Sequence, residues 1–153
     1  MKYYSLVFSL IIFSCSPDKP ITTEEFPDQS NSAVESNQKD LTKGIGSVKQ
    51  VTLNTPIEQD RVKRGLSIYE MKCLACHKLT DQRVVGPGWK GVTSRRKPEW
   101  IMNMITNVDV MLEKDGEAQK LLELCLTRMP NQNVSVGDAR DLLEFMRHND
   151  GEK

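Results

Sequence analysis

The sequence lacks net charge, and it lacks an apolar run long enough to cross a membrane. Its 21 lysine and arginine residues balance 21 aspartate and glutamate residues, which argues against a nucleic-acid-binding protein. The mostly apolar stretch near the N-terminus runs only from Tyr3 to Phe13. About a dozen residues are too few for a membrane-spanning helix, which needs roughly 20.

The sequence is also poor in metal-ligating residues and in β-strand patterns. It has four cysteines and two histidines, and three of these six residues fall within positions 73–77. Beyond that stretch, only Cys15, Cys125 and His148 remain to complete a zinc site, which normally needs four protein ligands. A thioredoxin-like pair needs a βαβ setting, and little in this chain reads as strand.

The stretch itself is Cys73-Leu74-Ala75-Cys76-His77, and Cys-x-x-Cys-His is the attachment sequence for c-type haem. Two thiols three positions apart on one helical turn can add to the two vinyl groups of a porphyrin. The adjacent imidazole then lies under the iron. A structural disulfide and half of a zinc site are the alternatives, and we predict one covalently bound haem c.

The N-terminus predicts export. Residues 1–14 combine a lysine, an apolar middle and a small residue near the end, as signal peptides do. The run Ile12-Phe13-Ser14-Cys15 resembles a bacterial lipobox, in which the cysteine is acylated and becomes the first mature residue. The resemblance implies a lipid on Cys15 and a protein anchored in the bacterial cell envelope, facing the periplasm or the outer side of the membrane. An ordinary signal peptide that contains a cysteine is the alternative.

Residues 15–55 are mainly polar, without sustained apolar periodicity, and predict a flexible linker behind the lipidated N-terminus. The folded domain is predicted at 56–153. Thr55 as N-cap, Pro56 at the first helical position and Glu58 as the third form a capping box, which places a helix start at Pro56. Residues on one face of that helix recur at spacings of three and four: Val62, Leu66, Tyr69, Cys73 and Cys76.

Residues 57–150 resemble the class I monohaem cytochromes c. Gly65, Tyr69 and Cys73 match a glycine, an aromatic and the first haem cysteine at the family's spacing, and Leu142 and Phe145 match the pair by which its last helix crosses that glycine. The resemblance implies an all-α fold, a small helical domain wrapped around one covalent haem c.

The resemblance also extends to the turn Gly86-Pro87-Gly88-Trp89-Lys90-Gly91. In the family, the proline carbonyl accepts the other ring N–H of the proximal histidine. Pro87 is therefore expected to fix the orientation of His77, and Trp89 is expected to pack against the haem.

The sixth iron ligand is expected to be Met129. It precedes Pro130 and falls in a loop between two predicted helices, where the family carries its distal methionine. Met111, in a segment that reads as a loop, is the main competitor. His148 is expected on the surface and Cys125 in the interior as an inert thiol.

The remaining helix signals are Pro98 before an apolar stretch, Asp115-Gly116 before a helix ending near Leu126, and Ser135 before the last helix. The second of these helices carries four residues at helical spacing that are expected to line the haem pocket: Ala118, Leu121, Leu122 and Cys125.

Histidine and methionine together fill both axial positions of the iron, so no site remains for a substrate. The sequence thus predicts a one-electron carrier with no catalytic residue. We expect a monomer that passes electrons from a quinol-oxidising donor to a terminal oxidase or periplasmic reductase of a respiratory chain. The alternative is a haem enzyme or gas sensor whose distal ligand is displaced, with peroxidase-like behaviour.

Charge is unevenly distributed along the domain. Residues 61–97 carry ten basic and two acidic residues, whereas residues 98–153 carry six basic and eleven acidic ones. Lys72, Lys78, Arg83 and Lys90 surround the haem motif in sequence. They either steer an acidic redox partner or only solvate the surface, and the sequence leaves both interpretations open.

Overall fold

The computed structural model describes residues 41–153, and this part of the chain is helical. A short 3₁₀ turn, Leu41–Lys43, precedes the α-helices. The described range contains no β-strand, only an isolated antiparallel bridge between His77 and Arg83. The all-α prediction is confirmed. The helices are α1 (Gln59–Lys72), α2 (Val92–Arg95), α3 (Pro98–Thr106), α4 (Val108–Lys114), α5 (Gly116–Cys125) and α6 (Val136–Asn149).

Three helices begin where the sequence places their caps. Pro98 is the first residue of α3. The carboxylate of Asp115 accepts a hydrogen bond from Ala118 N at the start of α5 (2.9 Å), and Ser135 Oγ accepts one from Asp138 N at the start of α6 (3.1 Å). Each cap satisfies a backbone donor that the first helical turn leaves unpaired.

The predicted capping box at Thr55 is wrong. Helix α1 begins at Gln59, with Glu58 as its N-cap residue. The Glu58 carboxylate accepts hydrogen bonds from Asn54 Nδ2 (2.7 Å) and Arg61 Nε (3.0 Å). It therefore links the preceding loop to the first turn of α1 instead of bonding the Thr55 backbone.

Helices α1 and α6 cross at Gly65. A Cβ atom at this position would lie 2.2 Å from the carbonyl oxygen of Asp141 and 2.7 Å from Phe145 Cβ. Leu142 is fully buried beside the crossing, and the rings of Tyr69 and Phe145 lie 5.4 Å apart. The crossing implied by the resemblance is confirmed, because only glycine lets the two backbones approach this closely.

The end of the predicted linker is not a tether. Residues 41–54, which we call the strap, lie against α3 through the amide of the buried Asn103. Asn103 Oδ1 accepts from Val48 N (3.1 Å), and its Nδ2 donates to Lys43 O (3.0 Å) and Val48 O (2.9 Å). The Asn103 side chain thus satisfies backbone groups of the strap, a segment whose own composition predicts no structure. The packed part of the chain therefore begins well before residue 56.

A buried ionic group holds the last residues of the strap on α6. Glu144 is fully buried and accepts hydrogen bonds from Arg140 and from Arg147 Nη1 (2.9 Å). Both arginines also donate to the strap, Arg140 to Thr52 O (3.0 Å) and Arg147 to Asn54 O (3.2 Å). The two guanidinium groups neutralise the carboxylate and satisfy strap carbonyls, as a buried charge requires.

The signal peptide, the proposed lipid site Cys15 and residues 15–40 of the predicted linker lie outside the described residues. Among residues 41–153, none of the helices is both long and apolar enough to cross a bilayer.

Candidate haem site

Within the described part of the chain, a cavity lies between α3, α5 and the loops that follow α1 and α5. Its void, counted together with the open solvent at its mouth, is about 1060 Å³. Its walls are largely apolar. Of the predicted site residues, the cavity is lined by Cys76, His77, Pro87, Trp89 and Met129.

His77 is oriented as the resemblance implies. Its Nδ1 lies 2.9 Å from the carbonyl oxygen of Pro87, so the Nε2 lone pair is the one left for a metal. Burial lowers the pKa of His77, and the hydrogen bond to Pro87 opposes that shift. The side chain is therefore a neutral imidazole at pH 7, the protonation state that ligates iron.

Gly86 and Gly88 let the Gly-Pro turn lie close to His77 and to Thr80. A Cβ at Gly86 would lie 2.4 Å from His77 Cε1, and a Cβ at Gly88 would lie 2.2 Å from Thr80 O. Gly86 N also donates to Cys76 O (3.0 Å). The turn is thus fixed to the backbone of the motif. The plane of the imidazole ring is therefore set by backbone contacts and not by a flexible side chain.

The haem motif forms a tight turn at the end of α1. Cys76 N and His77 N both donate to Cys73 O (3.0 and 2.9 Å), and Tyr69 Oη donates to His77 O (2.9 Å). Cys76 lines the cavity, whereas Cys73 is buried and is not among the lining residues. Burial raises the pKa of Cys73 to about 11, so its side chain is a neutral thiol at pH 7.

Trp89 lies behind the histidine in the core. Its ring centroid is 5.4 Å from that of His77 and 5.1 Å from that of Tyr69, and the residue is buried. It fills part of the core and also forms part of the cavity wall.

The structure separates the candidate methionines. Met129 is half-buried and lines the cavity. Met111 lies within α4, not in a loop as predicted, and is fully buried, with its Sδ 3.0 Å from Ile45 N. Met111 is therefore excluded as a ligand, because it does not reach the cavity and its sulfur is occupied. Met104 and Met146 also line the cavity, on α3 and α6.

Two further predictions are corrected or refined. Cys125 lines the cavity, as predicted, but it is partly exposed instead of buried. Leu121 and Leu122 line the cavity as predicted, whereas Ala118 is buried without reaching it. His148 is exposed, as expected.

Sequence reasoning missed the cationic part of the wall. Arg95, Arg96 and Arg128 line the cavity, and no acidic residue within positions 41–153 does. Arg96 pairs with Glu117 (2.9 Å) and its guanidinium lies 4.7 Å from the Trp100 ring centroid. No local pattern signals which arginine of a basic stretch faces inward, because that depends on how the short α2 is placed.

An apolar cavity that presents an oriented imidazole, a thiol on the same turn and a thioether fits a c-type haem. The fold and this site define a small helical protein that binds haem covalently. The cytochrome c family model matches residues 62–150, more than half of the chain. The chain belongs to the cytochrome c family.

Solved structures agree with this assignment. A cytochrome c from Rhodothermus marinus is 34% identical over 72% of this chain and 94% of its own, with a TM-score of 0.69. An engineered cytochrome c from the same organism, Rma TDE, is 34% identical over 72% and 95%, with a TM-score of 0.68. The same engineered protein bound to a carbene intermediate gives 33% identity and a TM-score of 0.65. A search of the curated proteins returned no match.

As a member of this family, the chain binds a covalent haem c and is a haem-based electron carrier. Proteins of the family are typically extracytoplasmic.

Proposed function

We propose that this protein is an envelope-anchored respiratory electron carrier in which His77 and Met129 ligate the haem iron. Cys73 and Cys76 attach the haem, Pro87 positions His77, and Cys15 carries the lipid. The observation that supports this most directly is the shared cavity, whose walls bring together His77, Pro87 and Met129.

Met129 is favoured over the other two cavity methionines by its setting. Met104 lies in the interior of α3 and Met146 in α6, where it is buried. Met129 lies between α5 and α6, on a segment whose backbone is not committed to a helix. A loop residue can bring its sulfur to the iron without breaking helical hydrogen bonds.

The haem supplies a single exchangeable electron. The residues of this chain would hold the haem, exclude water from it and supply its axial ligands. The apolar walls lower the local dielectric constant. Thioether ligation raises the reduction potential. No acid or base group is required for this work. The export signal and Cys15 support delivery to the envelope side of the membrane, where redox protein partners such as a quinol-oxidising donor and a terminal oxidase or reductase operate.

Three matched variants test the ligand assignment in the purified holo-protein: Met129→Ala, Met104→Ala and Met146→Ala. In the ferric wild type, we expect a weak far-red absorption band from methionine ligation, and in the ferrous form little binding of carbon monoxide. Only Met129→Ala is expected to abolish the band and to bind carbon monoxide readily. Loss of the band in Met104→Ala or Met146→Ala instead would refute the assignment.

The lipid proposal has its own test. Mass spectrometry of the mature protein is expected to show a peptide that begins at an acylated Cys15. A Cys15→Ser variant is expected to leave the membrane fraction with its visible spectrum unchanged. Retention of that variant in the membrane would contradict anchoring by this residue.

A further inference from the structure

Helix α2 is too short to hold its own place in the domain. It has four residues, Val92–Arg95, and none of them is buried. Its N-cap residue is Gly91, which has no side chain to accept a hydrogen bond from the first turn. A single turn of helix is not stable by itself in water, so the position of α2 depends on contacts with other elements. That position matters because Arg95 and the following Arg96 line the haem cavity.

The carboxylate of Asp150 supplies the cap that α2 lacks. Its Oδ1 accepts a hydrogen bond from Gly91 N (2.6 Å), and its Oδ2 accepts from Thr93 N (3.0 Å) and Thr93 Oγ1 (2.8 Å). Asp150 is the C-cap residue of α6, where the helix dipole disfavours a negative charge. Its position on α6 therefore does not account for an acidic residue, whereas its three hydrogen bonds to the start of α2 do.

Arg95 differs from the other two arginines of the cavity wall. Arg96 forms an ion pair with Glu117 (2.9 Å), and Arg128 forms one with Asp109 (3.0 Å). Among residues 41–153, no carboxylate forms an ion pair with Arg95, whose guanidinium donates to an uncharged carbonyl oxygen. The positive charge of Arg95 is therefore not offset within the described part of the chain.

The guanidinium of Arg95 is held close to the backbone at the start of α2. Its Nη1 donates to the carbonyl oxygen of Lys90, and a Cβ at Gly91 would lie 3.0 Å from the same nitrogen. Asp150 fixes this part of the backbone through its hydrogen bond from Gly91 N. A shift of the turn would therefore carry the Arg95 guanidinium with it.

The carboxylates of haem c need cationic partners in a cavity with apolar walls. Haem c carries propionate groups that are ionised at neutral pH, and a carboxylate taken out of water requires a charged hydrogen-bond donor. Of the three cavity arginines in residues 41–153, Arg95 is the one whose charge is left to meet such a carboxylate. A positive charge at this place disfavours the ferric form, because ferric iron carries one more positive charge than ferrous iron.

We propose that Asp150 is a positioning residue for the haem site: it caps α2, holds Arg95 toward a haem propionate and thereby keeps the reduction potential high. The inference rests on the proposed electron-carrier function and adds to it a residue that does not ligate the iron. The sign of its effect is diagnostic. Loss of the negative charge of Asp150 alone would raise the potential, whereas displacement of Arg95 lowers it.

The test compares Asp150→Ala, Arg95→Gln and the double variant in the purified holo-protein, with the reduction potential measured by spectroelectrochemical titration. Glu152→Ala is the control. It removes the same charge just beyond the end of α6, but the Glu152 carboxylate pairs with Arg147 (2.8 Å) and not with α2. Asp150→Asn is a second variant, which removes the charge but keeps one acceptor oxygen for the cap.

We expect Asp150→Ala to shift the equilibrium between the ferrous and ferric forms about threefold toward ferric, the size of effect of one partly exposed charge pair. For one electron this is a fall of about 30 mV, at about 59 mV per tenfold change. Asp150→Asn is expected to lie between Asp150→Ala and the wild type. The double variant is not expected to fall below Arg95→Gln, because Asp150 acts through Arg95. The Glu152→Ala control is not expected to lower the potential.

Amide hydrogen exchange, followed by NMR, tests the capping step separately. The amides of Gly91 and Thr93 are expected to exchange faster in Asp150→Ala than in the wild type, because both lose their acceptor. The far-red absorption band is expected in all variants, because the axial ligands are not changed.

An unchanged or raised potential in Asp150→Ala would overturn the proposal. So would unchanged exchange of the two amides, or a double variant whose potential falls clearly below that of Arg95→Gln. Failure of the proposed iron ligation has a different signature, because the wild type itself would then lack the far-red band and bind carbon monoxide.

Discussion

His77 Nδ1 and the carbonyl oxygen of Pro87 lie 2.9 Å apart. Gly86, the residue before Pro87, lies so close to the imidazole that a Cβ there would be 2.4 Å from His77 Cε1. The ring is thus held by the hydrogen bond at Nδ1 and by the close approach of the Gly86 backbone. A metal ligand held in this way needs no rearrangement when iron binds.

Gly86→Ala tests that contact. The new Cβ would lie 2.4 Å from His77 Cε1, so the ring or the turn must shift, at a cost of about 1–3 kcal/mol for overpacking. We expect a lower yield of holo-protein and altered visible absorption. Gly116→Ala is the control, because no atom lies within 4 Å of a Cβ there; a normal spectrum in Gly86→Ala would show that the turn adapts freely.

Gly65→Ala tests the crossing of α1 and α6. Alanine favours a helix over glycine by about 1 kcal/mol, but its Cβ would lie 2.2 Å from a backbone oxygen that cannot rotate away. The clash dominates, and we expect a net loss of about 1–3 kcal/mol in the free energy of unfolding, measured with guanidinium chloride. Gly137→Ala in α6, whose Cβ would be 3.7 Å from Ser135 Oγ, is expected to be neutral or slightly stabilising.

Asn103→Ala tests the attachment of the strap. The change leaves three strap hydrogen-bonding groups without partners, which costs about 1–3 kcal/mol when such groups are buried. Limited proteolysis is expected to cleave within residues 41–54 much faster than in the wild type, with an unchanged visible spectrum. Gln50→Ala, an exposed change within the strap, serves as control. Equal cleavage in both variants would mean that Asn103 does not hold the segment.

Asp141 predicts how stability responds to acid. Burial alone would raise its pKa, but hydrogen bonds from Arg64 (2.5 Å) and Arg61 (2.6 Å) outweigh burial and leave the pKa lowered. A lowered native pKa stabilises the fold above the unfolded value of about 3.9, and this contribution is lost as the pH falls through the lower native value.

We therefore expect Asp141→Asn to lower the melting temperature at pH 6 and to flatten its decline between about pH 4 and pH 2. Asp60→Asn is the control, because Asp60 is exposed and its pair with Lys63 is 3.5 Å long. Parallel pH profiles of Asp141→Asn and the wild type would contradict this role.

Short patterns predicted the helix caps and the residues around the histidine well. Pro98, Asp115 and Ser135 act within a single turn, and Cys73, Cys76 and His77 are three residues of one motif, so local sequence contains the needed information. The structure of the strap was not predictable in the same way. It depends on Asn103 and on the buried Glu144 with its two arginines, which lie roughly 50 to 90 residues further along the chain. The capping box at Thr55 failed for a different and local reason, because the Glu58 carboxylate accepts hydrogen bonds from Asn54 and Arg61.

Helix α3 has two faces with different neighbours. Trp100, Ile101, Met104 and Ile105 line the haem cavity, whereas Glu99 and Asn103 bond the strap. The strap is thus bonded to residues of α3 that do not line the haem cavity. A change that loosens the strap would therefore leave the walls of the haem cavity in place.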